Sequence, residues 1–409
     1  MPTRLFRAYL ASFRGFPRPV WLIALAVLVN QSGAMGIAFA TLYMTQRLGT
    51  GVTEAGQAFA AYAVGGLVGA PLAGRMCDRF GWRRVLVASL AACGALLMLM
   101  PLAASVWHFA ALLALYCLAE SGFRPAYQLG LTAYLPEAEF GRGYSLTLVA
   151  MNLGATLAGA LGGLLAGWWF EAVFWADGAT ALAASAVVAL LLPRGDGMAR
   201  TPRPAGGADR GRGPWLDPAF LLLFAVVLGV ATVHLQQRVL MPIYLTEGYG
   251  LSAAQYGMLL SWGAALFMAL TLPASTWLKG APQAAVAGLG SLVVCLGYAI
   301  LPFGAGFAFA GLAVTLTMLG AVAAFPAMMN TLKSLAPPGR TGSYLGNYQM
   351  AWWLAFLVAP PLSTWSYARF GGTATWLACA AVGAAALAGF AALGRRWGGP
   401  RQAADSAPV

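Results

Sequence analysis

Two side chains of opposite charge lie four residues apart inside an apolar stretch, and their types and spacing suit proton chemistry. Glu120 and Arg124 fall within a stretch that begins near Trp107. A spacing of four places both on one face of a helix, and Tyr127 and Gln128 extend the same stripe. A carboxylate beside a guanidinium stays ionised, whereas a carboxylate separated from it in apolar surroundings takes up a proton. The alternative is a permanently closed ion pair with a structural role.

A second carboxylate, Asp177, opens a later apolar stretch near its outer end. It either carries a proton or caps the helix that it begins. An ionised group at bilayer depth costs at least about 2.5–3.5 kcal/mol, so each one there is a functional candidate. We therefore predict that Glu120, Arg124 and Asp177 take part in proton coupling.

A third polar stripe places His234, Gln237 and Arg238 on one helix face. His234 is either a proton relay or a satisfied interior residue, and Arg238 either binds an anionic group or extends to the headgroups. Polar, aromatic and methionine side chains in other apolar stretches complete a predicted cavity for a bulky or variable ligand. Two histidines without a carboxylate cluster predict no metal site. The predicted cavity residues are Asn30, Gln31, Tyr127, Gln128, Asn152, His234, Gln237, Arg238, Asn330, Asn347, Tyr348 and Trp352.

The elements that must position these residues are membrane-spanning helices. Of the 409 residues, 60% are hydrophobic and 9% charged, which is too little charge to cover a soluble domain of this size. Apolar stretches long enough to cross a bilayer, about 20 residues each, recur twelve times. They are continuous rather than alternating, which excludes an outer-membrane barrel. We predict an all-α polytopic membrane protein with 12 transmembrane helices, numbered here as spans one to twelve.

The net charge of +12 follows membrane topology. With alternating spans and a cytoplasmic N-terminus, twenty basic residues fall on the inner side and two, Arg47 and Arg369, on the outer side. This distribution obeys the positive-inside rule. We expect a multi-pass protein of a bacterial inner membrane with both termini cytoplasmic, and no nucleic-acid partner.

Residues 194–216 interrupt the apolar pattern with Pro, Gly and Arg and predict a cytoplasmic linker. We expect a six-helix bundle at 1–193 and another, with a short cytoplasmic tail, at 217–409. The two halves match at an offset of 201, where Tyr43 corresponds to Tyr244 and Gly49 to Gly250. Duplicated six-helix units are one build of secondary transporters, with the substrate site between the halves.

The segment after span two reads Gly74-Arg75-Met76-Cys77-Asp78-Arg79-Phe80-Gly81-Trp82-Arg83-Arg84. It resembles the signature between helices 2 and 3 of the major facilitator superfamily, with Trp82 where a basic residue is usual. Glycines permit a tight turn, and an aspartate at a helix N-terminus can pair with arginines. By this resemblance we predict a cytoplasmic latch consisting of Gly74, Asp78, Arg79, Gly81, Arg83 and Arg84.

Span five carries Gly154, Gly159, Gly162 and Gly163. This stretch resembles a degraded antiporter motif of the twelve-span drug:proton branch, although small-residue helix packing explains it equally well. The resemblance implies two pseudo-symmetric bundles and proton-coupled efflux of a small amphipathic compound by alternating access.

Two alternatives remain open at this point: a proton-coupled uptake symporter for a peptide, sugar or organic acid, and a receptor or scaffold that does not transport. No phosphate-binding loop motif occurs, so we expect a proton gradient as energy source, no cofactor and no enzymatic activity. The expected partners are a small-molecule substrate, protons and membrane lipids, and the expected state is a monomer.

Overall fold

The computed structural model describes residues 15–193, 214–278, 280–337 and 341–397, and within these ranges the chain forms helices and no strand. The helices of spans one to six are α1 (Arg18–Gly33), α2 (Gly36–Gln46), α3 (Val52–Phe80), α4 (Trp82–Leu99), α5 (Val106–Glu120), α6 (Phe123–Tyr134), α7 (Glu137–Trp168) and α8 (Glu171–Leu191). Those of spans seven to twelve are α9 (Pro218–His234), α10 (Leu240–Glu247), α11 (Ala253–Trp277), α12 (Gln283–Ala299), α13 (Gly306–Leu335) and α14 (Thr341–Trp397).

The described residues form 11 helical stretches long and apolar enough to cross a membrane. The last of them, Tyr344–Arg395, has 52 residues, more than twice the length that one crossing needs. Gly371 interrupts it with φ 79° and ψ 173°, a conformation that glycine adopts without steric cost. The stretch therefore contains two spans, and the predicted all-α membrane fold is confirmed.

The chain contains two compact units. Unit 1 comprises 1–50 and 61–207, and unit 2 comprises 51–60 and 208–409. The first residues of α3 therefore group with unit 2. Of the predicted linker, residues 194–213 lie outside the described residues, and Pro214–Leu216 forms a 3-10 turn. The predicted boundaries at 193 and 217 stay a prediction.

The backbone repeats at the offset of 201 that the sequence indicates. The amide of Thr50 bonds to the carbonyl of Met44 at 3.1 Å, and the corresponding atoms of Leu251 and Leu245 lie 3.0 Å apart. Gly49 and Gly250 adopt left-handed φ values of 64° and 68°. Equivalent turns thus follow the first span of each unit.

The first span of each unit is broken at equivalent places. Span one consists of α1 and α2, which are separated at Ala34 and Met35. Span seven consists of α9 and α10, which are separated by a 3-10 turn at Leu235–Gln237. A break frees backbone amides and carbonyls that a continuous helix would pair, and within a membrane those groups need partners.

Candidate functional site

A buried carboxylate is the hydrogen-bond partner of backbone amides that the break in span one leaves free. Oδ2 of Asp177 accepts a hydrogen bond from the amide of Gly36 at 2.8 Å, and the Met35 amide is a second backbone partner. The Asp177 residue is 2% exposed. Since these amides form the N-terminus of α2, the carboxylate caps that half-helix and meets the positive end of its dipole.

The predicted position of Asp177 at the start of span six is wrong. Span six begins at Glu171, whose side chain pairs with Arg47 at 3.6 Å. Asp177 lies more than one turn further along the helix, so it caps α2 rather than its own helix. The apolar pattern places the helix start too late because Glu171 precedes the long apolar stretch.

Small residues let the neighbouring helices approach this break. A Cβ on Gly33 would collide with Oγ1 of Thr180, one turn beyond Asp177 in span six. From span five, Gly154 packs on the backbone of Gln31 and Gly162 on Met35. Two glycines of the degraded antiporter motif therefore pack on either side of the break.

Glu120 belongs to the same buried region. The hydroxyl of Tyr62 donates a hydrogen bond to Oε2 of Glu120 at 2.7 Å, and the Tyr62 ring stacks on Tyr116 with centroids 6.4 Å apart. Glu120 acts electrostatically on Asp177, and both carboxylates act on Tyr116. We call Glu120 and Asp177 the carboxylate pair. Tyr62 and Tyr116 lie beside it in unit 1.

The predicted stripe after Glu120 is interrupted, because α5 ends at Glu120 and α6 begins at Phe123. Arg124 and Gln128 lie beside the hydroxyl of Tyr127, which is buried and faces Sδ of Met151 at 3.6 Å. The pairing of Glu120 with Arg124 stays a prediction.

The break in span seven uses different chemistry. The hydroxyl of Tyr298 donates to the carbonyl of His234 at 3.1 Å, and that of Tyr256 donates to the carbonyl of Gln237 at 2.7 Å. The 3-10 turn also interrupts the predicted helical stripe at His234, Gln237 and Arg238. Gln237 is half-buried and Arg238 exposed.

Other predicted cavity residues are distributed over both units. In span one the amide of Asn30 lies 3.5 Å from Oε1 of Gln31, and in span five Asn152 bonds to the carbonyl of Leu148. In unit 2, the side chain of Asn330 donates to Oε1 of Gln283 at 3.1 Å. Gln283 is not one of the predicted cavity residues. Three further members lie on α14: Asn347 half-buried, Tyr348 buried and Trp352 half-buried.

The predicted latch differs from its expected local structure. Gly74, Asp78 and Arg79 continue α3, which ends only at Phe80, so Asp78 lies in a last helical turn rather than at a helix N-terminus. Gly81 makes the turn with φ 82°, and α4 starts at Trp82.

Arg83 extends from this turn to the end of span six. Its guanidinium donates to the carbonyls of Ala189 at 2.7 Å and Leu192 at 3.3 Å, whereas Arg84 is exposed. A cation at the C-terminus of a helix is favourable. Arg83 therefore holds the helix that carries Asp177.

The profile of the Major Facilitator Superfamily matches residues 21–356 and 239–408. The chain belongs to the Major Facilitator Superfamily. It is therefore a multi-pass membrane transporter for a small molecule and not an enzyme, as the sequence predicts.

Two curated superfamily proteins are similar in sequence. A chloramphenicol resistance protein of Streptomyces lividans is 30% identical over 184 residues, 44% of this chain and 46% of that protein. The match thus spans about half the length of that relative. The multidrug resistance protein MdtH of Proteus mirabilis (strain HI4320) is 27% identical over 279 residues, 67% of this chain and 68% of that protein.

Solved superfamily structures share the fold. A POT family transporter in complex with 5-aminolevulinic acid has a TM-score of 0.78 at 14% identity, covering 94% of this chain and 97% of that one. A bacterial homolog of the human lysosomal transporter Spinster has a TM-score of 0.72 at 16% identity, covering 92% and 96%.

Sequence reasoning missed four tyrosines of these sites: Tyr62, Tyr116, Tyr256 and Tyr298. A signal existed for the tyrosines, because a phenol inside an apolar span needs a hydrogen-bond partner. The identity of the partner depends on tertiary packing, which one sequence does not reveal.

Proposed function

We propose that the chain exports small amphipathic compounds in exchange for protons. The observation that carries this proposal is the carboxylate pair, in which Asp177 is buried and Glu120 half-buried. Two like charges in apolar surroundings repel each other, and binding of one proton removes that repulsion. Because Asp177 also caps α2, protonation at this pair weakens the contact that holds the break in span one.

In this proposal the coupled proton is taken up by the carboxylate pair, where it enters at Glu120 and is shared with Asp177, and Tyr62 positions the carboxylate of Glu120. The names of the two curated relatives support efflux of toxic compounds by this chain. Bacterial relatives and the inner-side excess of basic residues support a bacterial inner membrane with both termini cytoplasmic. The proton gradient is then the energy source, no cofactor is needed, and the monomer is the working unit.

The test uses a bacterium that lacks its own efflux proteins. Wild type, Glu120→Gln and a matched control, Glu54→Gln, are expressed at equal levels and challenged with a panel of toxic compounds. Glu54 is exposed in the first turn of α3. We expect wild type and the Glu54 variant to protect the cells and the Glu120 variant to lose protection.

Two other outcomes contradict the proposal. If wild type makes the cells more sensitive, the chain imports the compounds and the uptake symporter replaces the exporter. If Glu120→Gln protects as well as wild type, that carboxylate carries no coupled proton.

A further inference from the structure

The break in span seven leaves side-chain atoms without partners although its backbone is paired. Tyr298 and Tyr256 satisfy the carbonyls of His234 and Gln237. Among the described residues, Nδ1 of His234 and Oε1 of Gln236 are buried and have no hydrogen-bond partner. Buried polar atoms are nearly always paired, so these two atoms at the break can accept a polar group of a ligand as their partner.

Three aromatic rings from three spans meet at this place. The ring of His234 lies edge-on to Phe325 of span ten at 5.0 Å and to Trp352 of span eleven at 6.3 Å. Phe325 and Trp352 are also edge-on to each other, with centroids 5.4 Å apart. Both are half-buried rather than enclosed, and all three lie in unit 2. We call His234, Phe325 and Trp352 the aromatic corner.

Arg238 brings a positive charge close to the aromatic corner. Arg238 lies one turn beyond His234 and acts on it electrostatically. The carboxylate pair lies in unit 1, whereas the aromatic corner and Arg238 lie in unit 2. A positive neighbour disfavours a cationic ligand and favours an uncharged or anionic one.

We propose that the aromatic corner binds an uncharged or anionic aromatic ring of the substrate that carries a hydrogen-bonding group. The ring packs against Phe325 and Trp352 in the edge-to-face or offset geometry that aromatic pairs prefer. The polar group pairs with Nδ1 of His234 or Oε1 of Gln236. This inference rests on the proposed transport function and names its substrate class.

Binding is measured on the purified full chain in detergent with three probes: chloramphenicol (uncharged aromatic), salicylate (anionic aromatic) and tetraphenylphosphonium (cationic aromatic). We expect the first or second probe to bind more tightly than the third. Phe325→Leu should weaken that binding about threefold to tenfold. The matched control is Phe224→Leu, because Phe224 is also half-buried in unit 2 but packs on Trp215; it should leave binding unchanged.

A second measurement leaves the aromatic corner intact and therefore does not require that a variant of it folds. The chain has two histidines, so a ¹⁵N-histidine spectrum assigned with His108→Gln isolates the resonances of His234. We expect the favoured probe to shift the Nδ1 resonance of His234 and tetraphenylphosphonium to leave it unchanged.

Three results would overturn the inference: tighter binding of the cation, equal effects of the two phenylalanine variants, or no response of His234 to a bound aromatic probe. Absence of binding by both chloramphenicol and salicylate overturns it too. Proton movement in vesicles separates this failure from failure of the proposed function. Binding at the corner without proton exchange refutes the exporter alone, whereas proton-coupled export that the Phe325 variant leaves unchanged refutes the corner alone.

Discussion

The broken first spans of the two units pair their free backbone groups with opposite hydrogen-bond chemistry. In unit 1 the carboxylate of Asp177 accepts from the amide of Gly36 at 2.8 Å. In unit 2 the hydroxyl of Tyr298 donates to the carbonyl of His234 at 3.1 Å. A carboxylate can gain a proton, whereas a tyrosine hydroxyl keeps its proton at neutral pH. We therefore expect protons to act on the carboxylate that pairs the break in unit 1 and not on the hydroxyls that pair the break in unit 2.

The repeat shows how far this difference extends. At the offset of 201, Trp175 corresponds to Trp376, and Asp177 therefore corresponds to Ala378. Gly36 corresponds to Gln237. Unit 2 keeps the broken helix without the titratable cap. Both units thus keep the backbone geometry of the break, and we expect a proton site in unit 1.

The largest effect is expected from Asp177→Asn. Asparagine still accepts from the Gly36 amide but cannot ionise, so substrate export driven by a proton gradient should fall to the level of membranes without the protein. Substrate exchange in the absence of a gradient should persist, because the break keeps its partner. Both rates are measured in inside-out vesicles.

The control for Asp177→Asn is Glu54→Gln, which removes an exposed carboxylate and should leave the gradient-driven rate unchanged. A variant at Asp177 that keeps the gradient-driven rate of wild type contradicts the assignment of a proton-sensitive break to unit 1.

A smaller effect is expected from Gly36→Ala. The added Cβ would lie 3.0 Å from Oδ2 of Asp177 and 3.1 Å from Cδ2 of Leu97. Overpacking of this kind costs about 1–3 kcal/mol, so the midpoint of thermal unfolding in detergent should fall. Gly346→Ala is the control, because a Cβ there meets no atom within 4 Å. Equal midpoints for the two variants would show that the packing between Gly36 and Asp177 has room for a methyl group.

The smallest effect is expected from Tyr298→Phe and Tyr256→Phe in unit 2. Each removes one hydrogen bond to a backbone carbonyl, worth about 0.5–1.5 kcal/mol of stability. The pH profile of transport should match that of wild type, because these hydroxyls do not titrate in the working range. A profile that shifts as far as that of Asp177→Asn would remove the distinction between the two breaks.

Composition and periodicity were enough to predict the membrane fold and the spans. The apolar stretch is continuous from Val20 to Thr45, so it predicts span one correctly but conceals the break after Gly33. Hydropathy averages over a whole crossing, whereas the break depends on a few glycines and on a partner from span six. The same reasoning identifies Asp177 as a candidate but places it at the start of span six, whereas it lies more than one turn into that helix.

The candidate site was harder to predict because its contacts join distant parts of the chain. Glu120 stands out in the sequence as a carboxylate in an apolar span, yet its partner Tyr62 lies 58 residues away. A local pattern favours a partner one turn along, which is Arg124. Phe325 is one phenylalanine among 21, and only the packing of spans seven, ten and eleven brings it to His234.

The most direct test of the central claim is hydrogen exchange at the two breaks. Protection of the segments 33–40 and 234–243 is measured in mildly acidic and neutral buffer and corrected for the intrinsic exchange rate of the amides. We predict that acid lowers the protection of 33–40 in wild type, because a protonated Asp177 is a weaker acceptor for the Gly36 amide. The same segment of Asp177→Asn, and segment 234–243 of both proteins, should not respond. An equal response of the two segments in wild type, or an acid response of 33–40 that survives in Asp177→Asn, would contradict the account.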